Sequence, residues 1–105
     1  MTARSAVPGT KERETMSDLE HFPFDSSAPG AAPLSPAVRA GDFVYVSGQV
    51  PTMDDGSIAP HDIEAQTTQV MKNIEKALKL AGCEMSDICK TTAWIHDARD
   101  FGRFN

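Results

Sequence analysis

The spacing of apolar and polar positions changes period twice along this chain. Two β-favouring runs, Ala37-Val38-Arg39-Ala40 and Phe43-Val44-Tyr45-Val46, flank the pair Gly41-Asp42. Such a pair supplies the positive φ that a two-residue reversal needs, so the stretch predicts a hairpin over residues 37–48. The second run is β-branched and aromatic and then breaks into Ser47-Gly48-Gln49, small and polar groups where a buried strand would continue apolar. From Asp62 the period becomes helical. Ile63, Thr67, Val70, Met71, Ile74, Ala77, Leu78 and Ala81 share one face, while Glu64, Gln69, Asn73, Glu75, Lys76 and Lys79 mostly take the others. This predicts an amphipathic helix over residues 62–81, with Asp62 accepting from the free amides of its first turn and Gly82 as the left-handed stop.

That helix does not stand alone. Burying Ile63, Val70, Met71, Ile74 and Leu78 returns about 1.5–3 kcal/mol each, whereas fixing some twenty backbones costs roughly 1–2 kcal/mol apiece. Its own hydrogen bonds and a sheet beneath the apolar face must supply the difference. Part of that sheet is the hairpin; the rest is expected from residues 88–96, where alternation returns after a short turn at Ser86-Asp87. In that strand Cys89, Thr91, Ala93 and Ile95 would meet the helix, and Lys90, Thr92, Trp94 and His96 would face away. A tryptophan on the outer face needs another layer or another subunit over it. From Asp97 to Asn105 a second helix begins, with Phe101 and Phe104 at i,i+3. Between hairpin and helix, residues 52–60 read as a connecting loop that turns at Asp55-Gly56.

Upstream of the hairpin, Pro8-Gly9, Pro23, Asp25-Ser26-Ser27 and Ala28-Pro29-Gly30-Ala31-Ala32-Pro33 leave no sustained pattern, so residues 1–33 are expected to be a disordered N-terminal tail. Within it, His21 and Phe22 could pack as a short edge segment once Phe24 docks. Met16 followed by Ser17 reads as an initiator, with residues 1–15 an over-extended start.

A length of 105 residues holds one domain at most, with a small core. The formal charge of −5, with both signs interspersed, argues against nucleic acid and against an anionic membrane. No apolar run reaches membrane-spanning length and no secretory signal opens the chain, which points to the cytoplasm. Cys83 and Cys89 lack zinc-site or disulfide-framework spacing and read as reduced, mostly buried thiols; no metal and no cofactor is expected. His61 and His96 read as helix-entry and strand-end residues. No Ser-His-Asp set, paired carboxylates or phosphate-cradling glycine loop suggests a chemistry. Taken by themselves, Ser47 and Gly48 read first as a strand end with a bulge and second as a ligand site.

The ordered run Pro33-Leu34-Ser35-Pro36-Ala37-Val38-Arg39-Ala40-Gly41-Asp42, then Val46-Ser47-Gly48-Gln49-Val50-Pro51, Ala81-Gly82-Cys83, Asp87-Ile88-Cys89-Lys90-Thr91-Thr92, and Asp100-Phe101 with Asn105 closely resembles the Rid (YjgF-like) family of reactive-intermediate deaminases, also labelled L-PSP endoribonucleases. The resemblance spans Pro33 to the end, with residues 34–105 expected as the N-terminal part of a Rid-like domain. It implies an α+β, chorismate-mutase-like β-β-α-β-α subunit, here incomplete at the C-terminus, that assembles as a homotrimer with clefts between subunits. The implied activity is hydrolysis of 2-enamino or 2-imino acids to 2-oxo acids and ammonia without metal or cofactor. By position, Ser47, Gly48 and Asn105 would bind substrate. The family's carboxylate-holding arginine and water-placing glutamate lie further along than these residues, so no catalytic residue is named and this polypeptide is expected to be poorly folded and inactive by itself. Leu34 stands where well-studied deaminases carry a tyrosine. Arg39, Arg99 and Arg103 match no such motif and are expected to be solvated or on helix faces. The alternative is a non-catalytic small-molecule-binding or interaction module of the same fold; a ribonuclease is a third reading, weakened by the absence of any basic patch.

Overall fold

The computed structural model describes residues 1–4, 19–22 and 35–105. Strands β1 (Thr2–Arg4), β2 (Leu19–Phe22), β3 (Ala37–Ala40), β4 (Phe43–Val46) and β5 (Ile88–Lys90) form one sheet in the order β2-β3-β4-β1-β5, and helices α1 (Ile63–Leu80) and α2 (Phe101–Phe104) complete the fold. Each neighbouring pair runs antiparallel.

The predicted hairpin is β3 and β4, in register from Ala37↔Val46 to Ala40↔Phe43. Gly41 takes φ +59°, and no described non-glycine residue has positive φ, so the reversal uses a left-handed conformation only at its first central position. Alternation then separates two faces. Ala37, Arg39, Val44 and Val46 are buried toward α1, whereas Phe43 and Tyr45 point the other way, 44% and 51% exposed.

The predicted helix is equally direct. Asp62 accepts from the Ala65 amide at 3.0 Å, and the far end closes with the Cys83 amide on the Leu78 carbonyl and the Gly82 amide on the Lys79 carbonyl, Gly82 at φ +75°. Ile74, Ala77 and Leu78 are buried in the core with Ala3, Ala37, Val44, Val46, Ala81 and Cys83, and Val70 packs against them. Ile63 is half-buried, and Met71, expected on the inner face, is exposed. Methionine 71 lies instead in an open groove of about 430 Å³ that Thr68, Met85 and Phe104 also line.

Three expectations are corrected. Residues 2–4 and 19–22, placed in the tail, are strands; residues 5–18 and 23–33 lie outside the described residues, Phe24 included. Leu19–Phe22 is indeed an edge segment, paired with β3 from Leu19↔Ala40 to Phe22↔Ala37. β1 lies inside the sheet, fourth in the order between β4 and β5, where Ala3 is fully buried and its small side chain fits over the core.

The strand predicted for 88–96 pairs only over Ile88–Lys90. Its one ladder partner among the described residues is β1, itself three residues long, and Thr91–His96 pairs with none of them. The register also shifts, Thr2 opposing Lys90 while Ala3 opposes Ile88, so Cys89 is the extra residue of a bulge. The bulge inverts the expected faces: Ile88 packs on the core, and Cys89 is exposed. Only Cys83 of the two thiols is buried, and burial raises its pKa, with the Asp87 charge adding to the effect. Trp94, which the alternation placed on the outer face, is 92% exposed in the single subunit.

The third correction concerns Arg39. Only 2% exposed, it donates from Nη2 to the Ala81 carbonyl at 3.0 Å, putting a cation at the negative end of α1. Alternation along β3 forces this residue inward, and the helix C-terminus there supplies an acceptor.

Candidate functional site

Ser47 is the first residue past β4, and two bonds to one acceptor fix it. Its amide donates to the Pro36 carbonyl at 3.0 Å and its hydroxyl to the same oxygen at 3.1 Å. The side chain is exposed, and Gln49 Nε2 donates back to the Ser47 carbonyl at 3.1 Å. The hydroxyl retains acceptor capacity toward solvent. At Gly48 a Cβ would meet nothing within 4 Å, so the backbone there is open on the side a side chain would occupy. Ser47 and Gly48 thus present a held hydroxyl and bare backbone at a strand end.

Asn105 comes from a different element. It is exposed at the end of α2, its amide on the Phe101 carbonyl at 2.8 Å, and no hydrogen bond among the described residues links it to Ser47 or Gly48. Leu34 is outside the described residues.

Each of the three discussed arginines is engaged. Arg39 serves the α1 terminus. Arg99 forms a fork with Asp97, the Nη2–Oδ2 distance being 2.7 Å, and hydrogen bonding from this side chain holds the Asp97 carboxyl below its ordinary range. Arg103 reaches from α2 to Asp62 at 2.6 Å and Glu64 at 3.3 Å. The Asp62 carboxyl is lowered first by the Ala65 amide it caps and then by Arg103. These exposed pairs dock α2 onto the start of α1. Among the described residues no group of three His, Cys, Asp or Glu side chains converges as metal ligands would.

Asn73, assigned by periodicity to the outer faces of the helix, is half-buried and reaches the site's own strand end. Its Nδ2 donates to the Val50 carbonyl at 3.0 Å and to the Thr52 carbonyl at 2.9 Å, while Oδ1 accepts from Gln69 Nε2 at 3.0 Å. The available signal was its position between Val70 and Ala77, at the border of the apolar stripe, with a second carboxamide four residues earlier. Lys76 adds an exposed ion pair to Asp54 further along the same loop.

An antiparallel sheet carrying one long amphipathic helix, with a hydroxyl and an open glycine at the end of its central hairpin, defines an α+β domain of the Rid type. The sequence pattern of the family described as endoribonuclease L-PSP matches residues 25–105, and the chain belongs to this Rid/YjgF family. A RutC family protein of Pyrococcus horikoshii is 38% identical over 84 residues, covering 78% of this chain and 67% of that protein. A mouse 2-iminobutanoate/2-iminopropanoate deaminase is 37% identical over 82 residues, covering 76% and 61%. The crystal structure of a Rid-family protein of unknown function from Yersinia pestis superposes with a TM-score of 0.73 at 32% identity, covering 82% of this chain and 69% of that one. The chain therefore spans about two thirds of the length of the relatives it matches.

Proposed function

We propose that the domain to which these residues belong hydrolyses reactive 2-enamino or 2-imino acids to 2-oxo acids and ammonia, in the cytoplasm. The observation that carries this reading is the likeness to the mouse imine deaminase across a stretch that includes the Ser47-Gly48 strand end. In the reaction, water adds to the electrophilic C2 of the iminium and ammonia leaves after proton transfer. Ser47 Oγ and the open Gly48 backbone are suited to a planar carboxylate or imine nitrogen, and Asn105 is assigned to the same cleft by position. No arginine discussed above is free to clamp a carboxylate there, so the clamp and the water-placing carboxylate are assigned to the part of the relatives' length that these residues do not cover. We infer a cleft completed between subunits of a homotrimer; the exposed Phe43 and Tyr45 on the sheet face away from α1 support such an assembly.

The engagement of Arg39, Arg99 and Arg103 also supports the second reading, a module that binds small molecules without turning them over. A ribonuclease is disfavoured by the net charge of −5. The test couples the protein to a dehydratase that generates 2-iminobutanoate and follows 2-oxobutanoate release. Fused to the remaining third of a Rid relative, the chain is expected to accelerate release, and Ser47→Ala to weaken 2-oxobutanoate binding with little change in Tm. Binding of 2-oxobutanoate without acceleration by the fusion would favour the binding module; equal binding by Ser47→Ala would remove Ser47 from the site.

A further inference from the structure

We infer that Asn73 is a positioning residue for the Ser47–Gln49 segment, holding the strand end in the geometry a ligand meets; this rests on the reading of Ser47 and Gly48 as a binding site. The segment leaves the sheet after Val46 and has no ladder partner among the described residues. It is therefore suspended between two fixtures. One is the Pro36 carbonyl, which takes both the amide and the hydroxyl of Ser47. The other is Asn73, whose amino group bridges the carbonyls of Val50 and Thr52. Only Gly48 and Gln49 lie between the two, and glycine adds freedom where no side chain packs.

The chemistry of the fixture is specific. Two carbonyl oxygens converge on one nitrogen, which must therefore present two protons, as a carboxamide NH₂ does and a carboxylate or hydroxyl does not. Gln69 sets which way the carboxamide faces, because its Nε2 donates to Oδ1 and so leaves Nδ2 directed at the loop. The helix makes this fixture rigid: Asn73 is next to Ile74 and four residues before Ala77, both buried in the core. Position is thus transmitted from the core through one side chain to the open backbone. Lys76 and Asp54, joining the same loop to the same helix further from Ser47, provide an internal control.

The experiment uses Asn73→Asp, which keeps size and the Gln69 bond but sets an acceptor against two carbonyls, with Gln69→Ala as a milder variant that only frees the carboxamide to turn. Lys76→Ala is the control. Two readouts are taken on each protein: the backbone amide resonances and exchange rates of Gly48 and Gln49, and the Kd for 2-oxobutanoate. Asn73→Asp is expected to shift both amides, speed their exchange and raise Kd about tenfold, Gln69→Ala to do so by about threefold, and Lys76→Ala to leave all unchanged. Should Asn73→Asp not fold, Gln69→Ala carries the test by itself. Unchanged Gly48 and Gln49 amides in the variants would overturn the inference whatever the ligand does. So would shifted amides with an unchanged Kd, or Lys76→Ala matching Asn73→Asp. If the unaltered protein shows no 2-oxobutanoate binding while the amides still respond to Asn73→Asp, the binding-site reading fails and Asn73 is shown to hold the segment for some other purpose.

Discussion

β4 and β5 carry similar sequence signals and meet different fates. Both are β-favouring stretches with alternating faces. β4 keeps its ladder over the whole of Phe43–Val46, with β3 on one side, β1 on the other and α1 beneath. β5 stops at Lys90, although Thr91-Thr92-Ala93-Trp94-Ile95 continues in the same residue types. The difference is one of neighbours. A strand's backbone groups need a partner or water, and beyond Lys90 water is what remains among the described residues. Alternation states which residues would share a face; it does not state that a strand will lie alongside.

The comparison can be broken most forcefully on the well-supported side. Leu78→Ala, in a fully buried position beneath the hairpin, is expected to destabilise by about 2–5 kcal/mol in urea titrations. Ala3→Leu overfills the interval between β4 and β5 and should cost about 1–3 kcal/mol, capped by what β1 itself contributes, since the segment can leave. Its signature would be faster reaction of Cys83 with a thiol reagent in a Cys89→Ser background, because the Cys83 sulfur contacts the Arg4 carbonyl at 3.9 Å. A Cys83 that stays protected in the Ala3→Leu protein would show β1 to be as firmly seated as β4.

Gly82→Ala should cost about 1–2 kcal/mol at the C-terminus of α1, where φ is +75°. Acid gives a smaller and graded effect. The Asp62 carboxyl is lowered in the folded protein from an ordinary value of 3.8. Its stabilising contribution is therefore fully present above that value and is lost as pH falls through the lower folded pKa. Below about pH 4, helical circular dichroism should decline, and Asp62→Asn should flatten that decline. The least effect belongs to the weak side: Trp94→Ser, at a side chain 92% exposed, should stay within about 0.5 kcal/mol in the isolated subunit. A large loss there, appearing only at concentrations where light scattering shows assembly, would mean that a second subunit covers the tryptophan.

The hairpin and α1 were legible because each is self-specifying. Gly41, Asp62 and Gly82 mark the ends, and the period between them admits one face. β1 was not legible, since Thr-Ala-Arg carries no pattern and earns its place only through Ala3 fitting between strands distant in sequence. The Cys89 bulge is hidden for the same reason, as register with β1 decides it. Arg39 could have been placed inward by strict alternation with Ala37, but a guanidinium on the core face gains sense only once the Ala81 carbonyl is known to be there. At the candidate site, Ser47 and Gly48 were visible as a break in an apolar strand, whereas the Asn73 bridge crosses 23 residues to Val50 and leaves no local trace.

The seat of β1 between β4 and β5 also bears on the order in which the molecule assembles. The hairpin closes across a two-residue turn and α1 winds locally, so both can form early. Met1, just ahead of β1, bonds Val46 across 45 positions and the Thr2 carbonyl accepts from the Cys89 thiol across 87, so the slot of β1 does not exist until α1 has carried β5 back to a strand's width from β4. This interior strand is thus expected to be the last to enter and the first to leave. Native-state hydrogen exchange should show this as amides of Thr2–Arg4 and Ile88–Lys90 opening together, well before those of β3 and β4.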